Sequence, residues 1–175
     1  MRNLTMLAAC SLAACSGGGE EKKVEAAAAT MEAGQWQTDF EVTGHRTTDK
    51  TEPALKAAVG DKETGSACIA AGSEATPPPE LFSGPGYKCS YKTSYIRNGR
   101  INAALTCSRA GLSGEIMMSV DGTYTGTTFE GTVSTSTYLV SNGDFASTRK
   151  ISGRKAGPTC AAEEPAAGGT AKKAA

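Results

Sequence analysis

Lys88-Cys89-Ser90-Tyr91-Lys92-Thr93-Ser94-Tyr95-Ile96-Arg97-Asn98-Gly99-Arg100-Ile101-Asn102-Ala103-Ala104-Leu105-Thr106-Cys107-Ser108 is the stretch that decides the fold. Two runs rich in β-branched and aromatic residues flank Asn98-Gly99, a strong hairpin signal. A two-residue loop pairs Arg97 with Arg100 and sets Tyr91 opposite Thr106. A three-residue loop, Arg97-Asn98-Gly99 with Gly99 left-handed, pairs Ile96 with Arg100 instead. One face then collects Cys89, Tyr91, Thr93 and Tyr95 with Ile101, Ala103, Leu105 and Cys107, and the other carries Ser90, Lys92, Ser94, Arg100, Asn102 and Thr106. Only this second register separates apolar from polar, because slipping by one residue inverts a strand. It also sets Cys89 directly opposite Cys107, at a separation a disulfide bridges.

The chain around this hairpin has 175 residues, enough for one domain with a sizeable core. Eighteen basic residues against eighteen acidic ones exclude a polybasic nucleic-acid binder and leave no global field to steer a charged partner. No uninterrupted apolar run approaches the roughly 18 residues that span a bilayer as a helix. The amino terminus reads as an address. Arg2 precedes an apolar stretch, Leu4 to Ala14, whose length suits the hydrophobic region of a signal peptide. It closes with Leu12-Ala13-Ala14-Cys15, which resembles a bacterial lipobox, so residues 1–14 are expected to be removed and Cys15 to carry acyl chains, palmitate among them. Leu7-Ala8-Ala9-Cys10 has the same form but would leave too short an apolar region. Each buried methylene contributes about 0.8 kcal/mol, so several chains anchor firmly. Ser16 after the cysteine, by resemblance to enteric lipoproteins, points to the periplasmic face of the outer membrane in the cell envelope of a Gram-negative-type bacterium. Residues 15–30, with Gly17-Gly18-Gly19 and Ala26 to Ala29, have too little to bury and read as a tether. Residues 161–175 read as a low-complexity tail, leaving 31–160 as the ordered domain.

With Cys10 removed and Cys15 lipidated, Cys68, Cys89, Cys107 and Cys160 remain. An even number in an exported domain reads as two disulfides. Register assigns Cys89–Cys107, and elimination leaves Cys68–Cys160 as a clasp around nearly the whole domain. Zinc is excluded, because there is no Cys-x-x-Cys pair and His45 is the only histidine. No metal and no cofactor is expected.

Gln35 to Thr43 alternates, with Trp36, Thr38, Phe40 and Val42 on one side, and reads as a half-buried strand. Glu52-Pro53 to Gly60 has Pro at a helix start and Gly at its end, which predicts one or two helical turns. Ala75 to Tyr87, with Pro77-Pro78-Pro79 and Gly84-Pro85-Gly86, predicts a loop. Glu115 to Asp121 and Thr128 to Thr137 form a hairpin through Thr123-Tyr124-Thr125-Gly126. That loop sets Ile116, Met118 and Val120 on one face with Phe129, Gly131 and Val133. After a turn at Asn142-Gly143, Ala146 to Lys155 returns as an edge strand kept soluble by charge. The expected fold is all-β: an antiparallel meander of five or six strands, curved or closed into a small open barrel, with one short helix and two disulfides.

Several features in order resemble a secreted bacterial family known as domain of unknown function 3617. They are Gly34-Gln35-Trp36, Cys68 before Pro78-Pro79-Glu80-Leu81-Phe82, and Cys89-Ser90-Tyr91. Gly99-Arg100-Ile101-Asn102-Ala103 then runs into Leu105-Thr106-Cys107, and Gly122-Thr123-Tyr124 and Ile151-Ser152-Gly153-Arg154-Lys155 before Cys160 complete the series. Ile69-Ala70-Ala71 departs from the family's polar, helix-like form after Cys68. The resemblance implies fold and compartment and is silent on chemistry.

Catalytic constellations are weak. His45 and Asp49 suggest a Ser–His–Asp set, but no Gly-x-Ser-x-Gly elbow exists, and a loop histidine is the plainer reading. Asp39 with Glu41, and Glu115 with Asp121 or Glu130, have the residue types for glycoside hydrolysis but sit where solvated strand faces carry carboxylates. Thr123, Thr125, Thr127, Thr128, Thr132, Thr135 and Thr137 crowd one hairpin, yet their spacing does not repeat as an ice-binding array requires. Arg149, Lys150, Arg154 and Lys155 are candidates for anionic head groups or glycan phosphates. The expectation is a non-catalytic envelope lipoprotein whose β domain binds a small apolar or glycan ligand or an envelope protein. Its concave face would carry Trp36, Phe40, Tyr91, Tyr95, Leu105, Met118 and Phe129, which otherwise form the core. A structural module without a ligand is the alternative, and a hydrolase comes third. The sequence carries no signal for an oligomeric state.

Overall fold

The structure, a computed structural model, describes residues 30–160. The leader over 1–14, Cys15 with all but the last residue of the tether, and the tail over 161–175 lie outside the described residues. The strands are β1 (Gly34–Thr47), β2 (Lys62–Ile69), β3 (Tyr87–Arg97), β4 (Arg100–Arg109), β5 (Leu112–Tyr124), β6 (Thr128–Leu139) and β7 (Phe145–Gly157), with a short helix, α1 (Glu80–Ser83), between β2 and β3. All pair antiparallel in one sheet, ordered β2-β1-β7-β6-β5-β4-β3. The sheet therefore has seven strands, not five or six. β3 to β7 run as an unbroken meander, and β1 returns to pair with β7. The sheet curls into a half-barrel whose two edges, β2 and β3, both pack against α1. Leu81 and Phe82 of that helix point into the core. Phe82 meets Phe129 edge-on at 5.4 Å, and the Thr38 hydroxyl donates to the Leu81 carbonyl at 3.1 Å. One helical turn thus fills the seam that strand pairing leaves open.

The deciding hairpin turns on two residues, not three. Asn98 and Gly99 both have positive φ, 53° and 72°, the backbone a two-residue turn needs to match strand twist. Arg97 pairs with Arg100 and Ile96 with Ile101. A bulge between Tyr91 and Thr93 then advances the ladder by one residue, so that Tyr91 pairs with Leu105 and Cys89 with Cys107 as expected. The extra residue reconciles two demands, since the tight turn sets one register and the cysteine pair the other. Between bulge and turn the faces exchange. Ile96 is buried, and Tyr95 stands outside, 42% exposed, with the Arg97 guanidinium 4.1 Å from its ring centroid.

Four other local readings change. Glu52 to Gly60 is not helical, because its backbone is engaged elsewhere: Ala54 N–H donates to the Gly143 carbonyl and Ala58 N–H to Asp61. The helix lies instead in the Pro-rich stretch, where Pro79 at the N-cap needs no partner for a missing N–H. β7 is an interior strand between β1 and β6, not an edge. In the second hairpin the loop sits two residues later, with Tyr124 opposite Phe129 and Val120 opposite Val133. That moves the register by an even number, so the expected inward set is kept.

Cys89–Cys107 links neighbouring strands, Cα atoms 4.1 Å apart, and Cys68–Cys160 ties the end of β2 to the chain beyond β7 at 5.4 Å. The core between them is dense. Trp36, Phe40, Leu105, Ile116, Met118, Val120, Phe129, Val133 and Ile151 are all buried, each such side chain contributing about 1.5–3 kcal/mol. The Phe129 ring lies over Gly153 of β7 in the space any larger residue would need, and reaches Trp36 two strands away at 5.9 Å.

Candidate functional site

Toward one end of the barrel the inward series turn polar. β4 runs Ile101, Ala103, Leu105 and Cys107 and ends at Arg109. β7 read backward from Ile151 gives Arg149, then Ser147. β6 runs from Val133 to the buried Thr135 and Thr137. On β1 a second bulge, between Val42 and Gly44, exchanges the faces. His45, outward by simple alternation, therefore turns inward, its ring 5.2 Å from that of Phe145. Arg109, Thr135, Ser147, Arg149, His45 and Phe145 line a half-open cavity of about 370 Å³. Phe40, Val42 and Phe145 form its apolar wall, Tyr87, Arg109 and Arg149 its cationic one, and Glu63 stands on the adjoining β2.

The segment over 48–61 closes that end. Asp49 fastens its start: one carboxylate oxygen accepts from Gly143 N–H at 2.7 Å and Asp144 N–H at 2.9 Å, the other from Thr51 N–H and hydroxyl at 2.8 and 2.7 Å. These bonds, that of the Thr51 hydroxyl foremost, hold its carboxyl well below the usual carboxylate range. Leu55, Lys56 and Ala57 then pass over the cavity. The Leu55 carbonyl lies 2.9 Å from His45 Nε2, and since a carbonyl only accepts, Nε2 carries the proton. Nδ1 of the same ring is buried with no partner.

Arg149 is the centre of the site. Its residue is 7% exposed, and burial pulls its pKa below that of a free guanidinium. Nη2 donates to the Ser83 carbonyl at the end of α1, 2.7 Å away, and lies 3.9 Å from the Met118 sulfur. Nη1 approaches Glu63 at 4.0 Å. The group stacks near Phe40 at 5.0 Å and Tyr87 at 5.6 Å, and Arg109 covers the same Tyr87 ring at 4.5 Å. Arg109 donates to the Pro85 carbonyl at 3.1 Å. Two guanidiniums thus share one aromatic ring, with Glu63 near Arg149 and Asp61 also on the cavity wall.

Of the residues expected on an open concave face, Trp36, Phe40, Leu105, Met118 and Phe129 are packed core, and only Phe40 also borders the cavity. Tyr91 is half-buried and donates to the Pro77 carbonyl at 2.7 Å, with burial first and Glu80 second raising its pKa. Tyr95 is on the opposite face. Asp49 does not meet His45, since each is engaged by other partners. Asp39 and Glu41 are outward and pair with Arg154 and Lys62, while Asp121 accepts from Asn102. The threonines divide among the loop, the outer face and the interior. The cationic cluster divides too: Arg149 turns in, Lys150 and Arg154 stay out, and Lys155 pairs with Glu32. Arg149 and Arg109 were missed as inward residues. The signal for both is parity, two residues from the buried Ile151 and from Cys107.

No curated protein and no solved structure matches this chain. Residues 31–160, the whole disulfide-bonded sheet, match the family described as Protein of unknown function (DUF3617), and the chain belongs to that family.

Proposed function

We propose that this protein is a non-catalytic envelope lipoprotein, anchored through Cys15 at the periplasmic face of the outer membrane, whose β domain holds a small ligand in the cavity beside Arg149. One observation carries the reading: a curled sheet packed densely through most of its interior keeps about 370 Å³ free where a buried guanidinium and polar residues line the wall. Burying a charge is costly unless it is well compensated, and a core built only for stability would place an apolar side chain there. The size is that of a small-molecule site. Binding is favoured over catalysis because His45 holds Leu55 and Asp49 holds the β6–β7 loop, which leaves no histidine base with an orienting carboxylate among the described residues. The second reading, a protein-interaction module, draws on β3 as a sheet edge that carries the exposed Tyr95.

Native mass spectrometry of the protein purified gently from its own envelope tests the choice. A small mass lost on denaturation supports the ligand reading, and a clean apo mass overturns it in favour of the interaction module. The same spectra, with and without reductant, read the lipid on Cys15 as an added mass that Cys15→Ser removes.

A further inference from the structure

Resting on the reading of the cavity as a binding site, we infer that its ligand is a single-headed anionic amphiphile, an acyl carboxylate. The head would lie against Arg109 and Arg149, and the chain along Phe40, Val42 and Phe145. The charge balance points to an anion, since Lys56, Lys62, Arg109 and Arg149 line the cavity against two carboxylates, Asp61 and Glu63. Arg109 and Arg149 converge on the Tyr87 ring at 4.5 and 5.6 Å, and Glu63, half exposed, lies 4.0 Å from Arg149. The other nearby cations do not need Glu63, since Lys56 pairs with Glu52 and Lys62 with Glu41. Nor does the protein use up the guanidinium donors. Among the described residues, Arg149 makes one hydrogen bond to oxygen, at Ser83, and Arg109 one, at Pro85, against five donors on each group. Arginine forks match a carboxylate or phosphate in two-pronged geometry, and such bonds strengthen away from water.

The rest of the wall sets the body of the ligand. Phe40 and Phe145 are buried apolar rings, and Val42, on the same wall, is joined to the closing segment by backbone hydrogen bonds with Gly60 and Asp61. The cavity is half open, and its volume of about 370 Å³ leaves room for a short acyl chain, for which ten-carbon probes stand in.

Calorimetric titration of the oxidised full chain carrying Cys15→Ser, which removes any covalent acyl group, tests the class with three probes: decanoate, decyl phosphate and decan-1-ol. Decanoate is expected to bind one per chain and at least tenfold more tightly than decan-1-ol. Arg109→Gln, at a half-buried position, should weaken decanoate tenfold or more and leave decan-1-ol unchanged. A preference for decyl phosphate over decanoate keeps the anion and overturns the carboxylate. Equal binding of decanoate and decan-1-ol, or no effect of Arg109→Gln, overturns the anionic class while leaving the cavity a binding site. If none of the three binds, the amphiphile falls. The site itself is judged by the native spectra, and falls if they are free of bound mass.

Discussion

The two halves of this barrel are made by the same strands and the same alternation, yet one is packed solid and the other holds a cavity. In the packed half, Trp36, Phe82 and Phe129 interlock with centroid distances of 5.4 and 5.9 Å, and Phe129 covers Gly153 where β7 offers no side chain. In the other half the inward positions carry Arg109, Thr135, Ser147, Arg149 and, through a bulge, His45. The contrast is a change of residue type along each strand rather than a change of architecture. Each half also has its own disulfide: Cys68–Cys160 at the packed end, and Cys89–Cys107 two residues from Arg109.

The largest test of the contrast is covalent. On loop-closure entropy, removing Cys68–Cys160 (92 residues apart) should cost about 4–5 kcal/mol, and removing Cys89–Cys107 (18 apart) about 3 kcal/mol. Urea midpoints of the two double Cys→Ser variants should fall in that order, and the reverse order would mean that the cavity half, not the clasp, limits stability. Next come paired truncations. Phe129→Ala should cost about 3–5 kcal/mol, while Phe145→Ala, beside space that already exists, should lose less. Equal losses would erase the distinction between the halves.

Arg149→Met sharpens it further. The variant abandons the hydrogen bond to Ser83, at about 1–3 kcal/mol for an orphaned carbonyl, but relieves a desolvated charge. Thermal unfolding should therefore shift less than in Phe129→Ala. A drop as large as that one would make Arg149 a structural pin for α1.

The smallest effect concerns the closing segment. Asp49 has its pKa depressed in the folded state, so its contribution is present above the unfolded value of 3.8 and is lost progressively as pH falls below it. Amides of Gly143 and Asp144 should exchange faster in Asp49→Ala at neutral pH, and in the native protein only under strong acid. Faster exchange of Trp36 and Ile151 amides in the same variant would show that the segment is not independent of the packed half.

Parity made much of this interior legible and bulges hid the rest. The inward sets of β1, β4, β5 and β6 and the Cys89–Cys107 pairing follow from alternation, and a register error of even size left the second hairpin's faces intact. β2 escaped notice because Lys62 to Ile69 is an exposed edge whose apolar residues cluster at its end. Its place comes from pairing with β1, with Phe40 opposite Glu63. Arg149 and Arg109 were readable as inward by counting from Ile151 and Cys107, yet charge suggests solvent when no wall is in view. His45 and Tyr95 were not readable, since each lies past a bulge that no local pattern announces.

By itself, then, the sequence determined an all-β meander, its two disulfides and the apolar stripe that fills the barrel. Side-chain period and turn chemistry act over a few residues, and those residues carry them. Only the tertiary structure decided where the stripe ends. Whether one more residue in a strand turns His45 in or Tyr95 out depends on pairing with a neighbouring strand. Whether Arg149 faces water or a cavity depends on walls contributed by β1, β3 and the segment over 48–61, distant in the chain and adjacent only once the sheet has curled.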